Sequence, residues 1–227
     1  MPLELSRIHA LCFDVDGTLR DTDDQYVATF AKLFRPFRFI LPRRDAADFA
    51  RKFVMTVEAP ANWAISIPDR LHLDDELAKL GEWVDKRRAS ARPHNYLLIP
   101  GILDLLRDLS ARYPLAVVSA RPRRGTMGFL EHFDLTPHFR AIATGQTAPR
   151  TKPFPDPIHW AAMQMGVRPE NCLMIGDTTV DIRAGKAAGA QTVGVLCGFG
   201  ERTELERAGA DLILEGTWEL GKVISNE

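Results

Sequence analysis

Cysteine is scarce in this chain, net charge is almost nil and no apolar run is long, and each shortage excludes a class of protein. The three cysteines, Cys12, Cys172 and Cys197, are too few and too scattered among 227 residues for a disulfide framework or a zinc cluster, so buried thiols are expected. A formal charge of -1 provides no global field to draw in nucleic acid or an anionic membrane. No stretch approaches the roughly 20 apolar residues of a membrane span. Residues 1–10, with Glu4, Arg7 and His9, lack the apolar centre of a secretory signal. The expectation is a cytoplasmic protein, monomer or homodimer, with neither nucleic acid nor membrane as partner. Internal repeats and low-complexity tracts are also missing. What is present is ordinary: 45% hydrophobic and 26% charged residues, enough for one large domain or two modest ones.

Short apolar runs recur at residues 11–15, 115–120, 139–144, 172–176, 192–197 and 211–214, and they read as buried strands. The spans between them are mostly helix-like. Ile102, Leu105, Leu106 and Leu109 fall at helical spacing, and a helical pattern over 181–188 stops at Gly189. Strand and helix alternating in this way predict an α/β fold, a doubly wound, Rossmann-like parallel sheet with helices on both faces. Its site belongs just beyond the carboxyl ends of the strands. The alternation fails from residue 21 to about residue 92, where helical patterns at 25–34, 46–57 and 74–88 are broken by Pro36, Pro42, Pro60 and Pro68. The predicted domains are therefore a catalytic core of residues 1–20 and 93–227 and an inserted all-helical domain of residues 21–92.

The strand ends carry the chemistry. The first run leads into Asp14-Val15-Asp16-Gly17-Thr18, two carboxylates that both face a site if the chain turns at Gly17. Taken alone the same residues read as a solvated turn. The fourth run leads into Gly176-Asp177-Thr178-Thr179-Val180-Asp181, where Asp177 or Asp181 also reads as a helix cap. Together the two loops bring four carboxylates to the ends of neighbouring strands, an oxygen-rich site suited to magnesium. Ser119, after the second run, offers a hydroxyl to a phosphate oxygen. Lys152 precedes Pro153, Pro155 and Pro157, so its cation is carried on a stiff arm, and Asp156 reads as the N-cap of a helix with Pro157 in its first position.

In this order, the four features resemble those of the haloacid dehalogenase superfamily of phosphotransferases: Asp14-Val15-Asp16-Gly17-Thr18, then Ser119, then Lys152, then Gly176-Asp177 with Asp181. The resemblance implies a phosphatase in which Asp14 attacks phosphorus and forms an aspartyl-phosphate. Asp16 serves as acid and then base, and Lys152 completes the catalytic set. It implies that Ser119, Ala120 and Lys152 bind the phosphoryl group. Magnesium would be held by Asp14, the Asp16 main-chain carbonyl and Asp177, with Thr18 and Asp181 in support. An aspartate at position 16 is the phosphatase form of the motif, since dehalogenases usually carry an aromatic residue there. The insertion after the first motif is similar to the helical cap of phosphoglycolate phosphatase relatives. The substrate implied is a small phosphate monoester. A phosphomutase similar to β-phosphoglucomutase, or a non-catalytic binding module on the same fold, are the competing readings.

One departure stands out. Relatives often have asparagine after the second-motif hydroxyl, but here the run is Ser119-Ala120-Arg121-Pro122-Arg123-Arg124. Two further features carry a bland reading beside a functional one: the basic stretch of Lys32, Arg35, Arg38, Arg43 and Arg44 is a solvated face or a surface for an anionic substrate or nucleic acid, and Cys197-Gly198-Phe199-Gly200 is a glycine-rich turn or a border of the site.

Overall fold

The computed structural model describes residues 3–21 and 96–224. All of them belong to one compact unit, Met1–Thr22 with Tyr96–Glu227. The helical insertion expected at 21–92, with its basic stretch, falls outside the described residues apart from Asp21.

Six strands form one sheet: β1 (Ala10–Phe13), β2 (Leu115–Val118), β3 (Ala141–Ala143), β4 (Cys172–Gly176), β5 (Gln191–Val195) and β6 (Leu212–Leu214). Their order is β3-β2-β1-β4-β5-β6 and every pairing is parallel. Each strand coincides with one of the apolar runs. The connecting helices are α1 (Ile102–Ser110), α2 (Arg123–His132), α3 (Asp156–Met165), α4 (Thr179–Ala187), α5 (Arg202–Ala208) and α6 (Leu220–Ile224).

Because side chains alternate along a strand, the two faces of the sheet bury different sets. Leu11, Phe13, Leu115, Val117, Leu173 and Ile175 pack with Ile102, Leu106 and Leu109 of α1 and with Phe129 of α2. On the other face Ala10, Cys12, Ala116, Val118, Cys172 and Met174 pack with Ile158, Ala161 and Met165 of α3. The second set is smaller in volume, so its helices approach more closely. Cys12 and Cys172 are buried there as expected, whereas Cys197 is half-buried; none forms a disulfide. No helix among the described residues is long and apolar enough to cross a membrane.

The central position of β1, between β2 and β4, fixes where the site forms. Phe13 is level with Val117 on one side and Ile175 on the other. The residues that follow these three, Asp14, Ser119 and Asp177 among them, therefore emerge on one edge of the sheet.

Candidate active site

Asp14 extends β1 by one bond, its N–H donating to the Ile175 carbonyl at 2.9 Å. The chain then turns sharply. The Val15 carbonyl accepts from Leu19 at 2.9 Å and Arg20 at 2.8 Å, and the Gly17 N–H reaches back to the Arg20 carbonyl. Gly17 has a φ of +69°, and a β-carbon there would run into the Asp177 carboxylate, so both conformation and space require glycine.

The Lys152 ammonium lies between two carboxylates, donating to Asp14 Oδ1 and to Asp181 Oδ1 at 2.6 Å each. Asp181 is fixed from the other side as well: its Oδ2 accepts from the Thr178 N–H at 3.0 Å and the Thr178 hydroxyl at 2.7 Å. Thr178 is the N-cap of α4, and Asp181 closes a capping box with it. One side chain thus both serves the helix cap and contacts Lys152. Asp177 Oδ2 accepts from the Phe199 N–H at 2.9 Å. The glycine-rich turn over 197–200 consequently borders the site, and β-carbons at Gly198 or Gly200 would strike Asp177.

Oxygens of Asp14, Asp177 and Asp181 all lie within 4.8 Å of one another, and all three residues are buried. Among the described residues this cluster sets three carboxylates against one ammonium. Buried charges persist when paired or when they hold a metal. The surplus of hard, negative oxygen therefore fits a divalent cation of the magnesium type. Burial pushes the Asp14 carboxyl up to about 7; Lys152 pulls it down, and Asp181 and Asp16 add to the rise. Burial also works against the Lys152 ammonium, but Asp14 and Asp181 outweigh it and hold the amine above the ordinary lysine range.

Asp16 faces a different environment. Its Oδ2 is bonded by Nε of Arg121, and its Oδ1 lies 3.5 Å from Nη1 of Arg20. Ser119 is buried just past β2, its N–H donating to the Ala143 carbonyl at 2.9 Å and its hydroxyl accepting from the Arg121 N–H at 3.1 Å. Ala120 follows it, exposed, with its carbonyl packed against Gly145. Thr18 is fully buried and serves the turn through its backbone: its carbonyl accepts from the Thr217 hydroxyl at 2.7 Å. Asp156 corrects one expectation. Pro155 is the N-cap of α3, Pro157 is in its second position, and Asp156 pairs with Arg150 at 3.0 and 3.1 Å. Proline after Asp156 favours the first turn wherever it falls within it, and the nearby guanidinium takes the carboxylate.

Four contributors were not anticipated: Arg20 and Arg121 on Asp16, the Phe199 N–H on Asp177, and Thr217 on the first loop. Only the paired glycines around Phe199 carry a signal in the sequence, since they mark a close backbone approach.

Residues 11–195 match the family model described as haloacid dehalogenase-like hydrolase. Phosphoglycolate phosphatase of Escherichia coli K12 is 28% identical over 94% of this chain and 91% of its own length. A pyrophosphatase of Oceanobacillus iheyensis is 26% identical over 96% and 98%. A solved haloacid dehalogenase-like family hydrolase from Streptococcus pneumoniae superposes with a TM-score of 0.69 at 24% identity, covering 97% of this chain and 100% of that one.

Proposed function

The chain belongs to the haloacid dehalogenase-like hydrolase family, and on that premise we propose that it is a magnesium-dependent phosphatase that hydrolyses a small phosphate monoester through an aspartyl-phosphate. The observation that carries this reading is Lys152 held at 2.6 Å by both Asp14 and Asp181 in a buried cluster completed by Asp177. The relatives named as a phosphoglycolate phosphatase and a pyrophosphatase support it.

Asp14, its Oδ1 held by Lys152, attacks phosphorus with its other carboxylate oxygen, while Lys152 keeps the carboxylate oriented and offsets the charge on the phosphoryl oxygens. As the Asp14 oxygen–phosphorus bond forms, the bond from phosphorus to the leaving oxygen breaks, and Asp16 delivers a proton to that oxygen. Asp16 then removes a proton from the water that attacks the aspartyl-phosphate, which releases inorganic phosphate and restores Asp14. Since Arg121 and Arg20 hold the Asp16 carboxylate in this structure, delivery of its proton requires that it turn from them. Ser119 and the Ala120 backbone bind the transferred group. Asp14, the Asp16 carbonyl and Asp177 would hold the magnesium, supported by Asp181, and the bound ion supplies positive charge that lets an anionic nucleophile meet an anionic substrate.

The test is phosphate release from a panel of phosphorylated metabolites that includes 2-phosphoglycolate and pyrophosphate. Asp14→Asn is expected to lower turnover by about 10³-fold or more while remaining folded, with phosphate trapped on Asp14 in the intact enzyme. A chelator should stop the reaction and added magnesium restore it. Turnover near wild type in Asp14→Asn rules out the nucleophile. No release from any member of the panel favours a non-catalytic module.

A further inference from the structure

Arg121 is the least confined of the charged residues at the site. Its partner Asp16 is also reached by Arg20, but the two arginines differ. The Arg20 side chain is 9% exposed and its guanidinium lies 5.0 Å over the Tyr96 ring, whereas the Arg121 side chain is 29% exposed, as open as the 28% of Asp16. The Arg121 backbone, in contrast, is fixed. Its N–H donates to the Ser119 hydroxyl at 3.1 Å and its carbonyl accepts from Gly145 at 2.8 Å. A partly exposed guanidinium is thus anchored two residues from the phosphate-binding serine and rests on the carboxylate that serves the leaving group.

The next element adds a second observation. Helix α2 begins at Arg123 with no acidic residue in its first turn and no side-chain cap, and Arg123 and Arg124 are both exposed. The amino end of a helix carries partial positive charge, and here, among the described residues, the Arg123 N–H is met only by the neutral amide oxygen of Gln146 at 3.2 Å. Cations there are unfavourable unless an anion is present to meet them. A β-carbon at Gly125 would lie 3.5 Å from Arg121 Nη1, so the Arg121 guanidinium lies over this same first turn.

We propose that Arg121 determines specificity by binding an anionic group, a carboxylate or a second phosphate, on the leaving-group side of the substrate. The inference rests on the phosphatase reading and on Asp16 as the residue that protonates the leaving oxygen. Whatever leaves must come within hydrogen-bond reach of Asp16, and so within reach of the guanidinium already touching it. The pair is only partly buried, so exchanging it costs less than parting a fully buried one, and the arginine fork matches a carboxylate or phosphate through two parallel bonds. When the substrate anion takes Arg121, Asp16 is released to face the leaving oxygen. A neutral leaving group leaves Arg121 where it is.

The experiment compares kcat/KM on matched pairs, 2-phosphoglycolate against 2-hydroxyethyl phosphate and pyrophosphate against methyl phosphate, for wild type, Arg121→Gln and Arg121→Lys. Wild type should favour the anionic member of at least one pair. Arg121→Gln should lower that preference by roughly tenfold or more, since a site built for a polar group discriminates strongly when its partner is lost. Arg121→Lys should keep most of it. The pair in which the preference falls identifies the anion as carboxylate or phosphate. Equal losses on both members of each pair would show that Arg121 only positions Asp16, and would overturn the proposal. A wild-type ratio of one or below overturns it without any variant. If wild type releases phosphate from neither these compounds nor the wider panel, the phosphatase reading itself fails.

Discussion

Asp14 shows at the scale of one residue how a site trades stability for reactivity. Its carboxyl, pushed by burial up to about 7, stays protonated in the folded protein across a range in which an unfolded chain, near its ordinary 3.8, has released the proton. The folded state binds more protons in that interval. The group's contribution to stability is therefore complete below about 4 and is lost as pH rises through about 7. Urea denaturation of the metal-free protein should show stability declining between about pH 4 and pH 7, and Asp14→Asn should flatten that decline. An equal slope in the variant would contradict the assignment. Magnesium, which binds only the folded state, should recover stability at the upper end. The four acidic residues were legible in the sequence because they cluster where two apolar runs end, at 14 and 16 and at 177 and 181. Arg121 and Phe199 were not legible in the same way. One acts through a side-chain direction set across the sheet, and the other through a backbone N–H that every residue but proline possesses.

Among the elements, the strands were the most legible. All six apolar runs became strands, because a buried parallel strand is apolar on both faces and leaves an uninterrupted signal. Their ends were less so. The first run continues to Val15, but β1 stops at Phe13, since the Val15 carbonyl is occupied by the turn that follows. That turn and the start of α4 are where local structure and chemistry coincide. Thr178→Ala removes the cap hydroxyl, and with it one of the two bonds that hold Asp181 against Lys152. It should cost about 1 kcal/mol in stability and lower kcat more than it raises KM; Thr178→Ser should restore both. Gly198→Ala forces a methyl group into the Asp177 carboxylate. Overpacking of this kind costs about 1–3 kcal/mol, and calorimetric titration should show magnesium binding weakened roughly tenfold or more, in the range that loss of a ligand's supporting contact produces. Unchanged magnesium affinity would remove the turn over 197–200 from the site.

For the molecule as a whole, the decisive contacts join segments far apart in the chain. The Thr217 hydroxyl donates to the Thr18 carbonyl at 2.7 Å, and the Cys197 thiol donates to the Gly17 carbonyl at 3.3 Å. The loop that carries Asp14 is thus held by the last third of the sequence. Thr217→Val should cost about 1–3 kcal/mol, the usual penalty for stranding a buried acceptor, and should depress turnover although Thr217 lies outside the acidic cluster; a stable variant with full activity would detach this contact from catalysis. The strand order has a further consequence. β1 is synthesised first yet occupies the middle of the sheet, with partners on both sides that are translated later. A nascent chain therefore carries Asp14 early, on a strand with two unsatisfied edges, and cannot assemble the acidic cluster until Asp177 and Asp181 have been translated. The interval is one in which an apolar segment without its neighbours is open to misassociation. The appearance of activity during translation would report completion of the fold.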